Sequence, residues 1–91
     1  MLYYHLFYNM AEKGKKPESH ERILQKLGQR IKAIRESKGY TSYEKFAIDH
    51  QLNRVQFWRC ETGNNITFET LLKVLDAFDM TLQEFFSEGF D

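Results

Sequence analysis

Five helix-start signals spread along 91 residues constrain this sequence more than any other feature. Ser19, Thr41, Asn53, Thr67 and Thr81 each carry a side-chain oxygen able to accept from the unpaired amides of a helix's first turn. Thr41 with Glu44 and Thr81 with Glu84 also have the spacing of a capping box, in which the glutamate returns a bond to the cap residue. A chain so punctuated makes several short helices, and no strand signal, internal repeat or glycine-rich phosphate loop appears between the punctuation marks.

The segments between the caps carry helical apolar spacing. After Ser19, residues Ile23, Leu24, Leu27, Ile31 and Ile34 recur at three and four, Lys38 sits in the last turn and Gly39 supplies a left-handed stop. A short helix follows in "TSYEKFAIDH", with Phe46 and Ala47 inward. Asn53 opens a third helix that runs to about Thr62 and ends at Gly63 and the Asn64-Asn65 turn. On it Phe57, Cys60 and Glu61 share one side, and Val55, Trp58, Arg59 and Thr62 share the other. Thr67 begins a fourth helix whose expected buried stripe is Leu71, Leu72, Val74, Leu75 and Phe78. A last turn or two with Leu82, Phe85 and Phe86 runs to Gly89. The expected fold is all-α, with five helices in residues 19–91 as one domain.

Residues 1–18 read differently. "MLYYHLFYNM" has no trustworthy period, and "AEKGKKPES" after it is a polar Gly/Pro/Lys linker. The expectation is an irregular, flexible and dispensable or upstream-translated leader, since Met10-Ala11-Glu12 would itself make a plausible chain start; a self-association strand or partner-binding peptide is the alternative. It lacks the basic front and small-residue cleavage site of a targeting segment.

Composition sets the outer bounds. A chain this short buries about 60–65% of its unfolded surface and has room for one core. The longest apolar run falls far short of the roughly 20 residues a membrane helix needs, and a single cysteine excludes an internal disulfide. A soluble, cytoplasmic protein is expected. Net charge is zero, yet residues 1–63 hold 12 Lys/Arg and 7 Asp/Glu, a balance of +5, while residues 64–91 hold Lys73 and 6 acids, a balance of −5. Such segregation orients a molecule toward a polyanion even when the sum vanishes, unless the two ends are simply solvated faces.

Catalytic chemistry is thin. His5, His20 and His50 have no metal-ligand spacing with one another or with Cys60. Cys60 reads as a small core residue, and Ser42 and the scattered carboxylates show no acid/base pairing. No enzyme activity, cofactor or metal is expected.

Two short helices joined by a few residues, with small Ala47 in the first and Leu52 and Phe57 filling the wedge, meet the requirements of a helix-turn-helix. "LGQRIKAIRESKG", "FA", "LNR", "E-T-G" and "LLKVLDAFDMTLQEFF" then follow in the order found in the phage-repressor-like, or Xre-type, helix-turn-helix family, which the chain resembles over Leu27 to Phe86. The resemblance implies a double-stranded DNA-binding regulator, repressor-like and homodimeric, with its third helix in the major groove. It places base contacts on Arg54, Val55, Trp58, Arg59 and Thr62, and phosphate contacts on Ser42, Tyr43, Asn53, Asn64, Asn65 and Thr67. It further implies an ion pair between Arg35 and Glu61 and a dimer contact through Leu82, Phe85, Phe86 and Phe90. Arginine can bond both acceptors of guanine, and Val or Trp can meet a thymine methyl; hydroxyls, amides and helix N-termini bond phosphate oxygens. Simple capping and turn chemistry is the other reading of Asn53, Asn64, Asn65 and Thr67.

The chain departs from the family's habit in three ways: Tyr43 stands where a glutamine is common, with "GYTSYE" making the turn before it one residue longer than usual; Gln51 takes the place of a turn glycine; and the hydrophobic content of the third helix is high. The rival function is a protein-interaction module, antitoxin-like or a scaffold, supported by the aromatics of residues 1–10 and of "LQEFFSEGF".

Overall fold

In the computed structural model, which describes residues 17–91, Ser19 Oγ accepts from the Arg22 amide at 3.1 Å and α1 runs His20–Ser37. The reading of residues 1–16 as leader and linker lies outside the described residues. The helix ends in a Schellman turn: the Gly39 amide donates to Glu36 O at 2.9 Å, the Tyr40 amide to Arg35 O at 3.3 Å, and Gly39 has φ +90°.

α2 spans Tyr43–Asp49, and its cap is Ser42, whose Oγ accepts from the Lys45 amide at 3.2 Å. This corrects the expected Thr41–Glu44 box. The reversal after Gly39 uses Thr41, because Tyr40 must first fold over Phe46, the two rings meeting edge-on at 5.0 Å. The helix closes on Gln51, at φ +58°, with the Leu52 amide on Ala47 O at 2.8 Å. A side chain in that left-handed position costs about 1 kcal/mol, which the turn's bonds and the burial of Ala47 offset.

α3 spans Arg54–Glu61 behind its Asn53 cap, and α4 spans Phe68–Phe78 behind Thr67. Asp79, at φ +58°, closes α4. α5, Leu82–Phe85, opens with the full capping box: the Glu84 amide donates to Thr81 Oγ1 at 3.1 Å and the Thr81 amide to Glu84 Oε1 at 2.9 Å. Those bonds, the backbone one foremost, hold the Glu84 carboxyl below its usual range. The described residues thus form five helices and no strand.

One core joins them. Phe46 lies at its centre, stacked on Phe57 with centroids 5.2 Å apart and tilted on Phe78 at 5.3 Å. Ile31, Ile34, Ala47, Cys60, Leu71, Val74, Leu75 and Phe85 are buried around it. Two stripe residues expected inside are exposed. Ile23 sits in the first turns of α1, which at 18 residues outruns its eight-residue neighbour α3, and Leu72 falls on the outward side of α4.

At Gly28 the backbone at the end of α3 comes close against α1. A Cβ there would lie 2.6 Å from Glu61 O and 3.1 Å from Cys60 O, both backbone atoms that cannot rotate away. Gly28→Ala would gain up to about 1 kcal/mol of helix propensity, yet forcing two packed helices apart costs about 1–3 kcal/mol. Urea denaturation should show a net loss of stability; a more stable variant would mean the two helices can part freely.

Candidate nucleic-acid interface

α3 divides into two faces. Phe57 and Cys60 are buried among the core side chains, while Val55 and Trp58 are 61% and 45% exposed and Arg54, Arg59 and Thr62 are also exposed. The helix is anchored from behind. Arg35 Nε and Nη2 donate to the two carboxylate oxygens of Glu61 at 2.7 and 2.8 Å, with side-chain exposures of 4% and 7%. Arg35 Nη1 also donates to Tyr40 O at 2.9 Å, so one guanidinium ties α3 to α1 and to the turn before α2. The hydrogen bonds to Glu61 hold the Arg35 pKa above its usual value against the opposing effect of burial.

The expected DNA contacts separate by what their hydrogen-bond donors already do. A threonine hydroxyl has one proton to give and an asparagine amide two. Thr62 Oγ1 gives its proton to Trp58 O at 2.9 Å, and Asn64 Nδ2 donates to Thr62 Oγ1 at 2.8 Å and to Arg59 O at 3.4 Å. Thr67 Oγ1 donates to Thr70 Oγ1 at 3.0 Å. The side-chain donors of these three are thus engaged in bonds at helix ends, a role that can coexist with a phosphate contact through neighbouring backbone amides.

Ser42 and Asn53 differ, because each cap uses only an acceptor: Ser42 Oγ takes the Lys45 amide, and Asn53 Oδ1 takes the Gln56 amide at 2.8 Å. The Ser42 proton and the Asn53 Nδ2 donate to nothing among the described residues. Asn65 is exposed and Tyr43 half-buried, and neither side chain has a hydrogen bond among the described residues. Of the two arginines on α3, Arg54 Nη1 lies 3.8 Å from Glu44 Oε2 of α2, whereas Arg59 has no acid within 4.0 Å among the described residues.

The dimer contact expected near the end of the chain also divides. Phe85 is fully buried and belongs to this chain's own core, which corrects its expected place on a contact surface. Leu82 and Phe86 are exposed, and half-buried Phe90 packs on Phe86 with centroids 4.9 Å apart. Two cations of α1 that sequence reasoning did not single out hold this segment. Lys26 Nζ donates to Glu18 Oε1 and to Asp91 O, both at 2.9 Å, and Arg30 Nε donates to Phe85 O at 2.8 Å. Their i, i+4 spacing was the available signal, but it does not name a partner some 55 residues away.

Cys60 behaves as a core group. Burial foremost, then the neighbouring Glu61 charge, pushes its thiol from the ordinary 9.0 up to about 11. A thiol reagent acts on the thiolate, so at pH 8 the single cysteine should label only as fast as the fold opens. Because the folded pKa is the higher one, the contribution of this thiol to stability is full below pH 9 and is lost as pH rises from 9 to about 11. Rapid labelling of the native protein would contradict this placement.

Among the described residues no cluster of His, Cys, Asp and Glu is disposed to hold a metal, and no helix is long and apolar enough to cross a membrane. Comparison with protein-family models, with curated proteins and with solved structures finds no match for this chain.

Proposed function

We propose that this chain is a cytoplasmic, sequence-specific regulator that binds double-stranded DNA as a helix-turn-helix protein of the phage-repressor type. α3 enters the major groove, and the protein works without enzyme activity, metal or cofactor. The observation that carries the reading is the split of α3. Its inner side, Phe57 and Cys60, is sealed in the core, while the outer side offers Val55, Trp58 and two exposed arginines, Arg54 and Arg59. Around it Ser42, Tyr43, Asn53 and Asn65 keep donors suited to phosphate oxygens. Leu82, Phe86 and Phe90 support a two-fold dimer, which would bind half-sites about 34 Å apart or a multiple of it.

A gel shift on random duplex pools near physiological salt tests the proposal. Enrichment of one motif supports it. The exposure of Leu82, Phe86, Ile48 and Phe68 favours a second reading, a protein-interaction module, and retention of no DNA together with tight co-purification of one polypeptide would favour that reading.

Reading and holding should separate by mutation. Arg59→Ala should relax preference at one base position by roughly 1–3 kcal/mol, whereas Asn65→Ala should weaken all sequences about equally. Asn65 is uncharged, so its loss should leave the salt slope nearly unchanged; loss of a cation that neutralises a phosphate should lower it by about one unit. If the Arg59 variant keeps every wild-type preference and changes only affinity and slope, Arg59 clamps the backbone, and base reading falls to Arg54, Val55 and Trp58.

A further inference from the structure

We infer that Glu44 is a positioning residue for Arg54, holding that guanidinium so that it can discriminate a base. The inference rests on the DNA-binding reading above. Arg54 is the first residue of α3, where unpaired amides and the helix dipole make a cation unfavourable for the helix itself. Glu44 stands in the first turn of α2, where the same effect favours an acid, and its Oε2 lies 3.8 Å from Arg54 Nη1. The pair joins the two helices on the exposed side, and both side chains are more than half exposed, at 64% and 52%.

An exposed pair of this length contributes little to folding. Its consequence is for binding. A guanidinium has five N–H donors, and a single acid beside Nη1 leaves others free to meet the two acceptors of guanine. An arginine already leaning toward a carboxylate on the neighbouring helix loses less side-chain freedom when it docks. Exclusion of water by a base edge would strengthen the Glu44 attraction further. Glu44 also sets a negative charge where phosphates pass, so Arg54 cannot slip to the backbone without leaving an acid unpaired. Arg59 has no acid within 4.0 Å among the described residues, so any discrimination it provides does not depend on Glu44.

The test is a set of base-preference profiles for wild type, Arg54→Ala, Glu44→Gln, Glu44→Asp and the Glu44→Gln/Arg54→Ala double variant. The exposed sites should shift melting temperatures by only a few degrees, upward for Arg54→Ala and downward for Glu44→Gln, with every variant fully folded at the assay temperature. Arg54→Ala identifies the base pair this residue reads. Glu44→Gln should lose about tenfold in discrimination at that same pair while binding other sequences more tightly, because a repulsive charge is gone. Glu44→Asp keeps the charge but withdraws it by one methylene, and should lose discrimination there without the general gain. The double variant should match Arg54→Ala at that pair, as residues acting through one another do. A wild-type-like Glu44→Asp profile with a uniform affinity gain in Glu44→Gln would overturn the inference and leave Glu44 as mere charge. Absence of any selected motif in the wild type would instead overturn the DNA-binding reading.

Discussion

Arg35→Ala and Glu61→Ala should each destabilise the fold by about 3–5 kcal/mol, because each leaves its former partner buried, charged and without a counter-ion. The pair is bidentate at 2.7 and 2.8 Å and nearly sealed from water. Arg35→Ala additionally frees Tyr40 O. In a domain of this size 1 kcal/mol moves the melting temperature by about 4–8 °C, so the effect is large in a thermal melt. Glu61→Gln should lose less, since an amide oxygen still accepts one bond. Replacing both residues by apolar ones of similar volume should recover much of the loss, because a buried pair owes its apparent strength to the cost of breaking it. If both alanine variants stay within about 1 kcal/mol of wild type, the pair behaves as an exposed one.

That pair also shows how far the sequence reaches. Arg35 and Glu61 are 26 residues apart, and no local rule couples them; their partnership was expected only from the resemblance. Helix starts were legible because a cap needs only a side-chain oxygen two or three residues before an amide, and Ser19, Asn53, Thr67 and Thr81 meet that condition alone. Thr41 and Ser42 meet it side by side, and the choice of Ser42 depended on where Tyr40 packs. Gly28 was silent for a related reason. A glycine inside a helix looks locally like a weak helix former, and its value lies wholly in the Glu61 carbonyl that approaches it. Among the candidate contacts, exposure of Val55, Trp58 and Arg59 followed from helical spacing. The engaged donors of Thr62, Asn64 and Thr67 did not, because capping and contact use the same residue types and spacing does not show which bonds a side chain makes.

Phe85→Ala should cost about 3–5 kcal/mol of folding stability, while Phe86→Ala, one residue on, should leave the monomer nearly intact and weaken self-association. Sequence spacing cannot order these neighbours, since a four-residue helix has too few turns to define an inward stripe. The order comes from the path of the following segment. Arg30 binds Phe85 O at 2.8 Å and Glu84 O at 3.2 Å, and its guanidinium lies 5.6 Å from the Phe85 ring centroid, which fixes that ring under α1 at 0% exposure. Phe86 is turned out at 44% exposure, edge-on to Phe85 and beside Phe90. Truncating the inner ring leaves a cavity that close-packed neighbours fill only in part; truncating the outer ring opens no cavity in the core and loses only its contacts with Phe85 and Phe90. Urea melts read the first effect, and sedimentation of the folded variants, free and with the selected duplex, reads the second. Equal losses of stability would return both rings to one core, and a wild-type protein that stays monomeric on its preferred DNA would remove Phe86, Leu82 and Phe90 from any contact between copies.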